Sequence, residues 1–417
     1  MVWVLPLVNH PIWGAYFGPL SVFQYMGLLC LIGAIARIVS TGRVPRLFAN
    51  WPLRLLFLFY FIAVLSAVTR EADVAFFDDS LNTYTSSVLL VVLTVILVDT
   101  VERLKWAILC LVGSYAWASL YMIREWMGNR GVRPGWIVGD SNFFATSAIF
   151  AIVLGFYFMR SPGPRWQKWY CTLCLLTILA GTTLCASRGG FLGLAVASPI
   201  LAWQTKNRVR TFLVLSVLLL SFSLVLPVSP LQRLLHPTYS EIGSEDAHQA
   251  AWRAGYRMIQ AHPLRGIGLG QFKPYMPKYS NPGEKVVSIA HNIFIEVAAE
   301  LGIPALIVFV AFFIACMRGL GRVKRMVAAP EIARGAAGAL QAGVLGFCVA
   351  GCFVSAEYQK TTWAGLALVP CIIALSTFRE THQSQEEELA ALKPGESKML
   401  TDASGVARSA GIHYRRE

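Results

Sequence analysis

The sequence predicts an all-α, polytopic integral membrane protein, and three observations carry that prediction. Only 14% of the 417 residues are charged, against about 25% in a soluble globular chain. Hydrophobic residues make up 56% and the mean hydropathy is +0.56. Apolar runs close to the ~20 residues that a helix needs to cross a bilayer recur along most of the chain. A large soluble domain has no room between them.

Taken in order, crossings are expected near 18–37, 51–69, 84–100, 106–124, 142–159, 170–186, 190–203, 212–229, 291–317, 336–355 and 362–378. Residues 2–16 are apolar but short and broken by Asn9, His10 and Pro11, so they form a truncated first span or a re-entrant piece. That gives eleven or twelve crossings. No basic n-region precedes the run, which argues against a cleavable signal peptide. The chain divides into N-terminal spans (1–229), one long polar loop (230–290), C-terminal spans (291–378) and a polar tail (379–417).

Charge placement sets the expected orientation. The net charge is +13, but no nucleic-acid-binding module is visible. Most basic residues lie instead in short loops: Arg43 and Arg46; Arg103 and Lys105; Arg160, Arg165 and Lys168; Lys206, Arg208 and Arg210; Arg318, Arg322, Lys324 and Arg325. If the spans alternate, all of these fall on one side, which the positive-inside rule makes cytoplasmic. The tail falls there too, rich in Gln, Glu and Lys and expected to be mobile. The loops 70–83, 125–141, 187–189, 230–290 and 356–361 then face the opposite, periplasmic side of a bacterial inner membrane.

On that opposite side, Arg188 sits in a tight Ser187-Arg188-Gly189-Gly190 turn between two spans, where a charge near hydrocarbon is costly without a role. In the long loop, His248–Ala261 has helical periodicity and Pro263 stops it. Trp252, Tyr256 and Ile259 share one face of that helix, with Arg253 and Arg257 as i,i+4 neighbours on another. It is expected to lie at the bilayer surface with its aromatics toward lipid or protein. Gly266, Gly268 and Gly270 follow at alternate positions, which suits either a plain tight turn or backbone N–H groups approaching phosphate. His291 then stands where the loop enters an apolar run. An imidazole there, with a basic loop before it, is a candidate for proton transfer beside an anionic substrate.

These residues together resemble the O-antigen ligase and polymerase superfamily. The carriers are His291-Asn292 with Gly302, and the upstream His262-Pro263-Leu264-Arg265-Gly266-Ile267-Gly268-Leu269-Gly270-Gln271-Phe272. Ser187-Arg188-Gly189-Gly190, Gly139-Asp140-Ser141-Asn142 and Ser355–Trp363 add to them. All lie in matching order on one expected side. The resemblance implies a GT-C-like membrane glycosyltransferase, with one large helical periplasmic loop, that needs no cofactor, metal or nucleotide sugar. Its donor would be an undecaprenyl-diphosphate-linked glycan. The acceptor would be lipid A-core in the ligase branch, a second lipid-linked repeat in the polymerase branch, or a protein serine or threonine in a third. One departure is that relatives often carry an arginine shortly before the Ala-Trp pair, where this chain has His248 ahead of Ala251-Trp252.

The chemistry assigns provisional roles. An imidazole is a competent base at neutral pH, so His291 would accept the acceptor hydroxyl's proton. Arginine forks match phosphate oxygens, which makes Arg188 and Arg265 the first candidates for the leaving diphosphate, with Arg253 and Arg257 behind them. Asp140 would bind sugar hydroxyls or hold an arginine, and Asn292 would orient or cap. Glu296 and Glu300, one turn apart, would pair with loop arginines or face a wet cavity. No acid or histidine cluster has metal-ligand spacing. Cys171 and Cys174 read as packing residues, and none of the nine cysteines lies in the long loop, so no structural disulfide is expected. A transporter, for which repeated halves would be expected, and a non-catalytic subunit of an envelope machine are the competing readings.

Overall fold

The computed structural model describes residues 22–42, 47, 50–69, 74–129, 133–135, 138–225, 239–282, 284 and 287–391. It is all-helical over them. The helices are α1 (Val22–Thr41), α2 (Trp51–Val68), α3 (Val74–Leu97), α4 (Val101–Gly128), α5 (Ser141–Arg160), α6 (Arg165–Leu184), α7 (Arg188–Trp203) and α8 (Arg208–Val225). There follow α9 (Tyr239–Ala261), α10 (Phe272–Tyr279), α11 (Ile293–Arg325), α12 (Glu331–Gly351) and α13 (Lys360–Ala391). Each of the eleven expected crossings meets a helix, while the reading of 2–16 lies outside the described residues. Among the described residues eight helices are long and apolar enough to cross a membrane: α1 to α5 and α11 to α13. α7 falls short at 16 residues. α6 carries Arg165, Gln167 and Lys168 in its first turn and is correspondingly less apolar.

α5 forms the centre of the bundle, with 78% of its apolar window buried. Its packed face runs through Ala145, Ala148, Ile149, Phe150, Ile152 and Val153, an unbroken apolar stretch that only a fully enclosed helix needs. α12 is made largely of Ala and Gly, and small residues let helix backbones approach closely in a membrane. At the α7–α12 crossing a Cβ on Gly193 would lie 2.5 Å from the Gly346 carbonyl oxygen. The reverse substitution would meet the Gly193 carbonyl at 2.6 Å. α1, by contrast, packs mainly on α3 and leaves most of its surface for lipid.

The long loop is better ordered than its sequence indicated. α9 starts at Tyr239 rather than His248, and α10 adds a helix that the periodicity had not revealed. Ala250, Ala251, Ala254 and Met258 of α9 join Ile267, Phe272, Met276, Ala290 and Ala299 in a second small core. Alanines and Met258 make the contact, Trp252 is half-buried, and Tyr256 is 65% exposed. The expected tail from 379 begins inside α13, which continues to Ala391. The rest of that tail lies outside the described residues.

α11 is broken at Gly302, whose φ of 87° and ψ of 170° lie outside helical space. A break inside a membrane bundle frees backbone groups that must find partners. Here residues 262–272 supply them. Ile267 N–H donates to the Ala299 carbonyl at 2.8 Å and Gly268 N–H to the Glu300 carbonyl at 2.9 Å. Ile303 N–H donates to the Pro263 carbonyl at 2.7 Å. A Cβ on Gly266 (φ +63°) would lie 2.2 Å from the Glu300 carbonyl, so this seat requires glycine.

Candidate functional site

Three helices begin at one end of the bundle, each with a side-chain cap. Asp140 accepts from the N–H groups of Asn142 (2.6 Å) and Phe143 (3.3 Å) and starts α5. Ser187 accepts from Gly190 N–H at 3.3 Å and starts α7. Asn292 accepts from Phe294 (3.0 Å) and Ile295 (3.1 Å) and starts α11. These are the favoured cap residue types, each satisfying amides that the helix itself leaves open. The positive ends of three helix dipoles therefore meet, which favours an anionic ligand.

Direct contacts tie the three starts together. Arg133, which the sequence reading passed over, donates through Nε to the Cys185 carbonyl and through Nη2 to Asn142 Oδ1 at 2.5 Å. It thereby joins the turn before α7 to the start of α5. Gly190 is close enough to α5 that a Cβ there would lie 2.7 Å from the Ala145 Cβ. A Cβ on Gly189 would lie 3.0 Å from the Phe353 Cβ, at the end of α12. That same end receives Asn292 Nδ2, which donates to the Cys352 carbonyl at 3.1 Å. Trp252 of α9 donates to the Ala290 carbonyl at 3.0 Å and stacks obliquely on Phe353, with centroids 6.5 Å apart. So the Arg188 turn and the His291 segment, a hundred residues apart in sequence, both seat on residues 350–353.

His291 is half-buried, and its Nε2 lies 3.1 Å from Ser288 Oγ. The ring of His248 on α9 lies over it, with centroids 4.5 Å apart. Burial pushes the imidazole below the usual histidine value, and the nearby Asp140 carboxylate raises it in opposition. The backbone here is unusual as well. Among the described residues only two non-glycines have positive φ, Ala186 (47°) and His291 (51°). One lies two residues before Arg188 and the other is the histidine itself. Backbone strain of this kind gathers at working sites.

The arginine candidates divide between the shared end and the loop. Arg188 is half-buried in the shared end, and Arg265 is exposed on the loop that fills the α11 break. Arg253 and Arg257 are exposed and already engaged. Arg253 pairs with Glu284 at 2.8 Å, while Arg257 donates to the Tyr279 carbonyl at 2.8 Å and to Asn281 Oδ1 at 2.5 Å. Glu284 accepts from Asn281 and Arg253, which holds its carboxyl down to about 2. These two arginines fasten the segment leading to His291. The phosphate reading of the glycine run is also corrected: the N–H groups of Gly268 and Gly270 are consumed by the Glu300 carbonyl and by Glu300 Oε2, respectively.

Glu296 and Glu300 are each only 2% exposed, so neither faces an open cavity. Nor do they pair with loop arginines among the described residues. Glu296 accepts from Ser355 Oγ. Glu300 accepts from the N–H groups of Gly270 and Phe272, both at 2.9 Å, and from the Tyr358 hydroxyl. Their place in the structure is to bind the loops 262–272 and 355–358 to α11. Among the described residues no group of three or more His, Cys, Asp or Glu side chains is arranged to hold a metal ion.

Residues 172–310 match the family model described as O-antigen ligase. The matched segment runs from α6 into α11 and includes Arg188, the two loop helices, the glycine run, His291 and Gly302. No curated protein matches the chain. The matched segment contains both the arginine turn and the Asn292-capped helix start beside His291, and over residues 172–310 this multi-pass helical chain is similar to the O-antigen ligase family, which supports a membrane glycosyltransferase of the ligase and polymerase type.

Proposed function

We propose that this protein transfers a glycan from undecaprenyl diphosphate to a hydroxyl of lipid A-core, at the periplasmic face of the bacterial inner membrane and without a metal ion. The observation that carries the reading is the meeting of three capped helix starts with Arg188 and His291 at one end of the bundle. The acceptor oxygen attacks the anomeric carbon while His291 takes its proton. The bond from that carbon to the diphosphate breaks, and its electron pair leaves on the phosphate oxygen. Arg188 and the helix dipoles stabilise the charge that develops there. Asp140 offsets charge on a protonated His291, and Arg265 meets the donor from the exposed loop. Arg253, Arg257 and Asn292 hold the segment in place.

The orientation draws on charge. Tyr157, Gln204 and Glu331–Gly338 meet at the opposite end, through Tyr157 Oη to the Glu331 carbonyl and Gln204 Nε2 to the Gly338 carbonyl. The basic loops 160–168, 206–210 and 318–325 adjoin that end, which the positive-inside rule puts in the cytoplasm. The test is in vitro transfer by the purified protein from a defined undecaprenyl-diphosphate glycan. Lipid A-core, a second copy of the donor and a serine- or threonine-bearing peptide are offered in turn, with and without chelator. Product on lipid A-core, unaffected by chelator, is expected. Product on either other acceptor replaces the ligase assignment by a polymerase or a protein glycosyltransferase, and no product with any acceptor overturns the reading.

A further inference from the structure

His248 enters the site from outside the elements that carry Arg188, Asp140 and His291. It lies on α9, on the side that faces the bundle together with Ala251 and Trp252, and it is half-buried. Its ring sits 4.5 Å from that of His291, with the planes inclined at 40°. That contact brings two titratable rings into one partly desolvated space, where two like charges strongly oppose each other.

The other groups around His291 do not cancel that opposition. Asp140 at the start of α5 is the anion acting on the imidazole. Ser288 on the preceding segment offers a neutral hydroxyl. Glu296, on the next turn of α11, is engaged by Ser355 of the 355–358 turn, and Arg253 of α9 by Glu284. Arg188 at the start of α7 and Arg133, which bonds Asn142 beside Asp140, add positive charge to the same end.

We propose that His248 is a positioning residue for the transfer reaction, its ring sharing one desolvated space with His291 so that the pair holds a single proton at a time. With both rings neutral, His291 is free to receive the proton released by the acceptor hydroxyl, and while His291 holds it His248 stays neutral; a proton already on His248 would oppose that transfer. This rests on the reading of His291 as the base, but the pairing is measurable without catalysis.

The experiment is an NMR titration of the full-length protein in nanodiscs with ring-labelled histidine, the His291 signal being assigned by its loss in His291→Gln. His248→Gln removes a chargeable ring and should move the His291 midpoint to higher pH. His248→Arg fixes a positive charge there and should move it lower. Shifts of opposite sign exclude a simple change in packing or exposure, which has no reason to follow charge. In parallel, the acid limb of the transfer profile should move with the midpoint, up in pH for His248→Gln and down for His248→Arg. Midpoints unchanged in both variants, or moved in the same direction, overturn the proposal. Full transfer by His291→Gln with opposite midpoint shifts would instead remove the base assignment and leave the paired rings standing.

Discussion

Replacing Glu300 with alanine should loosen the loop that fills the α11 break, and the size of the effect follows from its contacts. The carboxylate is buried and accepts from Gly270 N–H and Phe272 N–H at 2.9 Å each, and from the Tyr358 hydroxyl. Alanine leaves three donors without an acceptor, Phe272 N–H buried and the other two half-buried, where a fully buried one costs roughly 1–3 kcal/mol. Taking the low end gives about 3 kcal/mol, or about two orders of magnitude in the local opening equilibrium. Hydrogen exchange reads that equilibrium directly. In nanodiscs, amides of the 264–276 segment in Glu300→Ala should exchange roughly 100-fold faster than in the unaltered protein. Glu300→Gln keeps one acceptor oxygen and should fall between, while Tyr358→Phe removes one donor and should cost about tenfold or less. Segments at the opposite end, around 157–168, should not change. Exchange of Gly270–Phe272 within about twofold of normal in Glu300→Ala would refute the reasoning.

Arg188→Lys keeps the charge but loses the planar fork, so transfer should fall by roughly 100-fold or more, measured as labelled glycan on the acceptor; near-normal turnover would show that a point charge suffices. His291 is held below the usual histidine value by burial, and protonation disables a base. Transfer should therefore stay flat as pH falls through neutrality and drop only below the ordinary histidine midpoint of about 6.5. A limb at or above that value would contradict the assignment, and His291→Ala should abolish transfer while the protein remains folded. Gly346→Leu forces a side chain toward the Gly193 carbonyl, which a Cβ alone would approach to 2.6 Å. It should lower thermal stability in detergent by more than the ~1–3 kcal/mol of ordinary overpacking, and an unchanged melting temperature would show that the two backbones are not in contact.

The membrane architecture was legible because hydrocarbon leaves so few options: a run of ~20 apolar residues has to be a helix there. The site was legible in part. His291 and Arg188 stood out because a histidine and an arginine at the edge of apolar segments need a reason. Asp140 and Asn292 stood out because they precede apolar runs, and they do cap α5 and α11. Arg133 gave no such signal. It lies in a loop between spans, and its importance comes from the Cys185 carbonyl and Asn142, contacts that no periodicity encodes. Glu296 and Glu300 were misjudged for the same reason. Their spacing showed that they share a face, but their partners Ser355 and Tyr358 belong to a turn more than fifty residues away. His248 was legible only as a departure from the superfamily pattern, and its neighbour emerged from the fold.

The break at Gly302 also divides the labour of α11. Residues 303–325 extend about 34 Å at 1.5 Å per residue, their last turns carrying Arg318, Arg322, Lys324 and Arg325. The stub from Ile293 to Leu301 has a separate set of partners. It is fastened at either edge to the cap formed by residues 262–272 and to the 355–358 turn, and it moves or stays with them. Mechanically, the histidine rides on the lid rather than on the post. Changes of length or composition deep in the post should alter how the protein fits bilayers of different thickness, while leaving the reacting groups in register.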